Sequence, residues 1–173
     1  MRSFLQGPDG ARGVAALSKL NDRYVMSDTS SALWYVAPDH AEVRDTPLTV
    51  MDAASVEITA EASLISRGTE RLVFSGRVPQ GEIDRMRCPM QEGAFPFPVK
   101  YGYALAGHVS DGPQDLVEKK VFSLAPHQAR IRVPISMARP LPEGLTPARA
   151  ARPSPRIWRP RSTPAGMRPW RRG

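Results

Sequence analysis

From Val56 to Leu64 apolar residues occupy every even position and polar residues every odd one. That period of two is the pattern of a strand with one buried face. Shorter β-like runs follow the same logic at Ala32–Val36, Tyr103–Val109, Lys120–Leu124 and Arg130–Val133, with turn-forming pieces such as Ser110-Asp111-Gly112-Pro113 between them. Helical signal is scarce. A turn of helix is expected over Glu82–Arg87, with Ile83 and Met86 on one side and Pro89 limiting it, and another short one over Val14–Leu20. Many short strands, 18 Pro, 13 Gly and no alternation of strands with helices predict a mainly β, barrel-like domain. No internal repeat is found.

Composition divides the 173-residue chain into a body and two ends. The net charge of +7 would suggest a polyanionic partner, but its distribution does not. All 17 acidic residues and 17 of the 24 basic ones fall within residues 1–150, so the body is neutral. The excess sits in residues 152–173, which hold seven Arg, five Pro and two Trp and no acid. The first 31 residues mix Gly, Pro and charge and are expected to be a disordered extension, with Met26 a second plausible start before the first strand. A single cysteine, Cys88, excludes an internal disulfide and a four-cysteine zinc site and suits a reducing compartment, with the cytoplasm as the default. No apolar run approaches the roughly 18 residues of a membrane span.

Within the body, Phe95-Pro96-Phe97-Pro98 should be stiff, because proline fixes its own φ and restricts its predecessor. Its residues alone suggest a packed loop over one end of the barrel. Three segments around it carry further information in their order: Ser63-Leu64-Ile65-Ser66-Arg67-Gly68-Thr69-Glu70, then Phe97 to Val109 with Tyr101-Gly102-Tyr103 at its centre, then Val121 to Gln128 running on to Leu141-Pro142-Glu143-Gly144. Together they resemble the N-terminal, GroES-like domain of the medium-chain dehydrogenase/reductase superfamily, the zinc-type alcohol dehydrogenase relatives, over about residues 32–150. The resemblance implies a GroES-like β-barrel with short helical turns. It also implies the substrate side of an NAD- or NADP-dependent oxidoreductase acting on a small alcohol or carbonyl compound, with a homo-oligomer as an open alternative to a monomer.

Departures from the family pattern shape the expected site. Zinc-dependent members place a cysteine and a histidine in the first two motifs, since zinc favours sulfur and nitrogen ligands. Here Arg67 or Ser66 falls at the cysteine position and Tyr103 at the histidine position. No zinc is therefore expected, and the chain is most similar to a zinc-less branch that includes bacteriochlorophyllide dehydrogenase-like proteins. By the resemblance, Thr69 matches the proton-relaying hydroxyl and Tyr103 offers a phenol in place of the imidazole. Arg67 would hold a polarised or anionic oxygen and Glu70 would orient it through an ion pair. The competing expectation makes Arg67 and Glu70 a local surface pair and Tyr103 barrel packing. His108 and His127 are expected to be structural or solvent-facing.

Nothing after Gly144 shows a Gly-x-Gly-x-x-Gly turn between a strand and a helix, so the dinucleotide-binding Rossmann half is expected to be missing and the chain inactive alone. Residues 151–173 instead have the Arg, Pro and Trp enrichment of a shifted frame in a GC-rich gene. One synonymous back-translation of Pro153–Met167, read with its phase shifted, gives an acidic, helix-compatible segment. A frameshifted, disordered tail is the resulting expectation, to be decided by the gene sequence. Two alternatives use the same residues differently. Trp158 and Trp170 among arginines would suit a nucleic-acid binder, and a barrel without surviving chemistry would be a non-enzymatic interaction module. Of these, no nucleic-acid and no membrane partner is the expectation adopted.

Overall fold

The computed structural model describes residues 28–152. Expectations for the first 27 residues and for the basic segment from Pro153 onward lie outside the described residues. Inside them the chain is mainly β, as the short alternating runs imply. In chain order the elements are β1 (Thr29–Ala37), β2 (His40–Pro47), β3 (Ser55–Ser63), α1 (Thr69–Phe74), a 3-10 turn (Gln80–Glu82) leading into α2 (Ile83–Met86), β4 (Glu92–Gly93) and β5 (Val99–Lys100). There follow β6 (Leu105–Asp111), β7 (Lys120–Ser123), β8 (Arg130–Pro134), a second 3-10 turn (Ile135–Met137), β9 (Arg139–Pro140) and α3 (Pro147–Ala150).

The strands form two antiparallel sheets, one ordered β2-β1-β5-β4 and the other β8-β3-β6-β7-β9. A bridge between Ala32 and Gln128 ties β1 of the first sheet to the segment entering β8 of the second. The alternation read in Val56–Leu64 places Val56 and Ile58 in the core with Leu105, Val109, Val121, Ile131 and Val133 from the neighbouring strands. Burying side chains of this size is worth about 1.5–3 kcal/mol each. Gly107 is what lets β6 lie against β3: a Cβ there would stand 1.9 Å from the Thr59 carbonyl oxygen.

Several boundaries differ from expectation. β1 begins at Thr29, inside the stretch expected to be disordered, because Ser30 is buried and its hydroxyl accepts a 2.7 Å hydrogen bond from the Arg130 backbone N–H. Asp28 is held as well. Arg130 and Arg132 both bond to it and to Glu57, which is buried although it lies on the polar register of β3. At the other end, Ala151 belongs to the fold and not to the tail, since it packs with Ala150 against Ala106. β2 alternates only over His40–Arg44, with Ala41 and Val43 as its apolar positions, before Asp45, Thr46 and Pro47 break the pattern; pairing with β1 runs from Thr29↔Pro47 to Ala37↔His40.

A second core cluster gathers Tyr35, Val73, Cys88, Val99 and Tyr101, with Phe95 and Phe97 packed against it. Both proline peptides of that loop are cis. Its aromatics thus serve packing, as the residues alone suggested. Cluster and loop together fix the end of the molecule where β1, α1 and the segment before β8 meet.

Candidate functional site

Glu70 is the centre of that meeting point. It lies in the first turn of α1, three residues before Val73, and both are fully buried. Positions three apart share one helical face, so the apolar contact of Val73 turns Glu70 inward with it. A carboxylate in such a place needs donors for its oxygens. Ser66 supplies one through its backbone N–H, 2.8 Å from Oε1. Oε2 accepts from the Tyr35 hydroxyl at 3.1 Å and lies 2.7 Å from His127 Nε2.

Each partner is positioned by a different part of the fold. Tyr35 sits on the inward register of β1, where its ring meets Phe74 edge-on at 5.8 Å. Burial, reinforced by the Glu70 carboxylate, pushes its phenol well above the ordinary range, so it acts as a hydrogen-bond donor and stays protonated. His127 is carried by the segment before β8. Backbone bonds from Leu33 N–H to the His127 carbonyl and from Ala129 N–H to the Ser31 carbonyl, each 2.9 Å, lock that segment to β1. Gly102, with φ of 141°, passes so close that a Cβ there would meet the imidazole at 2.9 Å. Facing a carboxylate, Nε2 carries the proton; Nδ1 is buried and has no hydrogen-bond partner among the described residues.

Beside this network opens a cavity of about 440 Å³ lined by Leu33, Tyr35, Ala41, Ile65, Ser66, Arg67, Glu70, Arg71 and Phe74. Its size falls in the range of small-molecule sites, and its walls are apolar and aromatic with a few charged groups, the usual composition of such sites. Arg67 and Arg71 are exposed and enter the lining, Arg67 from the loop before α1 and Arg71 from the helix.

The structure redistributes the residues singled out from sequence. Arg67 and Glu70 do line one cavity, but they form no ion pair. Both Glu70 oxygens are engaged by Ser66, Tyr35 and His127, so the expected Arg67–Glu70 pair, catalytic or superficial, is replaced by an inward network. Thr69 and Tyr103 do not line the cavity; Tyr103 packs edge-on against Tyr101 at 6.1 Å. His127 is neither solvent-facing nor isolated. His108 is half-exposed and sits 3.1 Å from Glu61 on the neighbouring strand.

No family model and no curated protein matches the sequence. Solved structures do match the fold. A probable oxidoreductase from Mycobacterium abscessus is similar at 17% identity over 71% of this chain and 38% of its own, with a TM-score of 0.52. The quinone oxidoreductase from Coxiella burnetii is similar at 16% identity over 72% and 40%, with a TM-score of 0.51. The human synaptic vesicle membrane protein VAT-1 homolog-like protein is similar at 12% identity over 71% and 38%, with a TM-score of 0.53. These neighbours are medium-chain dehydrogenase/reductase proteins. The chain has the fold that they share. It spans about two fifths of their length.

The resemblance read in the sequence set Ser66 or Arg67 and Tyr103 against the cysteine and histidine of zinc-dependent relatives. Hydroxyls and a guanidinium offer neither thiolate nor imidazole, and no group of three or more His, Cys, Asp or Glu among the described residues is arranged to hold a metal ion. A dinucleotide does not fit these residues either. The longest described helix is the six-residue α1, and its start at Gly68 follows a loop, where the dinucleotide motif needs a strand, a glycine-rich turn and a helix in succession. No described helix is long and apolar enough to cross a membrane.

Proposed function

We propose that residues 32–150, together with the flanking Thr29–Ser31 and Ala151, are the substrate-side domain of a zinc-independent, NAD- or NADP-dependent oxidoreductase that acts on a small alcohol or carbonyl compound. The cavity beside the buried Glu70 network carries this proposal, because it combines apolar walls with the Arg67 guanidinium, which the resemblance sets near the family's metal position. There Arg67 donates hydrogen bonds to the substrate oxygen and favours the charge that develops on it, the task of the metal in zinc-dependent relatives. Glu70 touches no substrate in this scheme. By holding Tyr35, Ser66 and His127 it fixes the floor against which the substrate is oriented, and preorganisation of that kind is what a substrate-positioning domain contributes. The dinucleotide belongs outside the described residues, and the whole protein's reaction requires it.

Titration of the full chain with butyrophenone and with 1,4-benzoquinone, followed by two-dimensional NMR, tests the assignment of the cavity. Binding should shift the amides of Leu33, Ala41 and Ile65, and Ala41→Trp, which fills the cavity from β2, should abolish those shifts. If neither compound moves these amides, or if the tryptophan variant binds as well as the parent, the proposal fails.

A further inference from the structure

Arg67 and Arg71 are two cations at the mouth of a cavity whose other walls are Leu33, Ala41, Ile65 and the rings of Tyr35 and Phe74. The nearest acid in that lining is Glu70, and it is unavailable to them: Oε1 is taken by the Ser66 N–H, and Oε2 by Tyr35 and His127. No other acidic side chain enters the lining, and no ion pair joins either arginine to an acid among the described residues. A carbonyl oxygen needs at most one of these guanidinia. The second has no role in binding a neutral substrate, and as a cation at the edge of an apolar cavity it favours an anionic group on the ligand.

Building on the substrate-side assignment above, we propose that this site takes an amphipathic acid: an apolar or aromatic carbonyl compound or alcohol whose other end is a carboxylate. The apolar body lies on Leu33, Ile65 and Phe74; Arg67 donates both to the carbonyl oxygen and to the carboxylate, and Arg71 to the carboxylate alone. Planar guanidinium groups match a carboxylate through paired N–H donors, and charge-assisted bonds of this type are about twice as strong as neutral ones. The inward commitment of Glu70 is essential to this arrangement, because a carboxylate turned toward Arg67 would compete for the same donors.

The test compares two probes that differ in one group. Butyrophenone and 4-oxo-4-phenylbutanoate share ring, carbonyl and chain, and the second carries a carboxylate where the first has a methyl. Their affinities for the full chain are measured by isothermal titration calorimetry, with NMR locating each on the cavity amides. The keto acid should bind at least about tenfold more tightly, with a preference that shrinks as salt is raised. In the double variant Arg67→Gln, Arg71→Gln the two probes should bind equally. Both arginines are exposed, so the variant keeps the fold, which circular dichroism verifies. Butyrophenone binding at the cavity with no preference for the keto acid overturns the inference and leaves the substrate-side assignment standing. A preference that survives in the double variant also overturns it. Absence of both probes from the cavity overturns both.

Discussion

His127 Nε2 and Glu70 Oε2 stand 2.7 Å apart although 57 residues separate them, and both side chains are buried. The pair welds the first turn of α1 to the segment entering β8, with Tyr35 of β1 completing the junction at 3.1 Å from the same oxygen. One carboxylate thus joins three chain segments, of which β1 and α1 line the cavity, and whatever moves it moves those walls.

Glu70→Ala is expected to cost about 3 kcal/mol of folding stability, because it strands the Tyr35 hydroxyl and the His127 N–H in the interior without an acceptor. Glu70→Gln keeps an acceptor oxygen and should cost less. Arg67→Ala, at an exposed position, should fall within about 0.5 kcal/mol of the parent. Urea unfolding of the three variants measures the order, and a Glu70→Ala protein as stable as Arg67→Ala would refute the role given to the carboxylate.

Gly102 protects the same junction from the other side. At φ of 141° a side chain is strained, and a Cβ would meet both Cδ2 and Nε2 of His127 at 2.9 Å. Gly102→Ala should therefore destabilise the protein by more than about 1 kcal/mol and displace the imidazole, visible as a changed His127 ring signal in NMR. An alanine variant with parental stability and an unmoved His127 signal would show that the loop has room to give.

The difference between what the sequence disclosed and what it hid follows from range. β3 was legible because its alternation is local, and the resemblance over residues 32–150 anticipated a fold that the solved neighbours share. β2 was missed, since its alternation covers only His40–Arg44 and the rest of the strand is held by pairing with β1. At the site, the resemblance suggested that Glu70 would orient Arg67 through an ion pair. Glu70 instead shares its helical face with Val73, and that spacing was the available signal for its burial. Its true partners, Tyr35 and His127, lie 35 and 57 positions away, in a strand and a loop, where no periodicity connects them. A histidine following Ala125-Pro126 gave no local sign of its acceptor.

Cys88 offers a readout of this same end of the molecule. It is buried in the cluster with Tyr35, Val73 and Tyr101, and burial pushes its thiol up to about 11 from an ordinary value of 9.0. The thiolate is the reactive form, so the folded protein should resist iodoacetamide at neutral pH. The raised value also sets a pH dependence. Between pH 9 and 11 the unfolded chain loses a proton that the folded chain retains, so the contribution of this group to stability is intact below about pH 9 and is lost as the pH rises through about 11. Denaturant midpoints for the parent should fall across that window more steeply than those of Cys88→Ala, which has no proton to release. As the only cysteine in the chain, Cys88 also makes alkylation followed by mass spectrometry a report on opening of the cluster. Rapid labelling of the folded protein at pH 7, at a rate near that in urea, would mean that the thiol is accessible and that the cluster around Tyr35 does not hold.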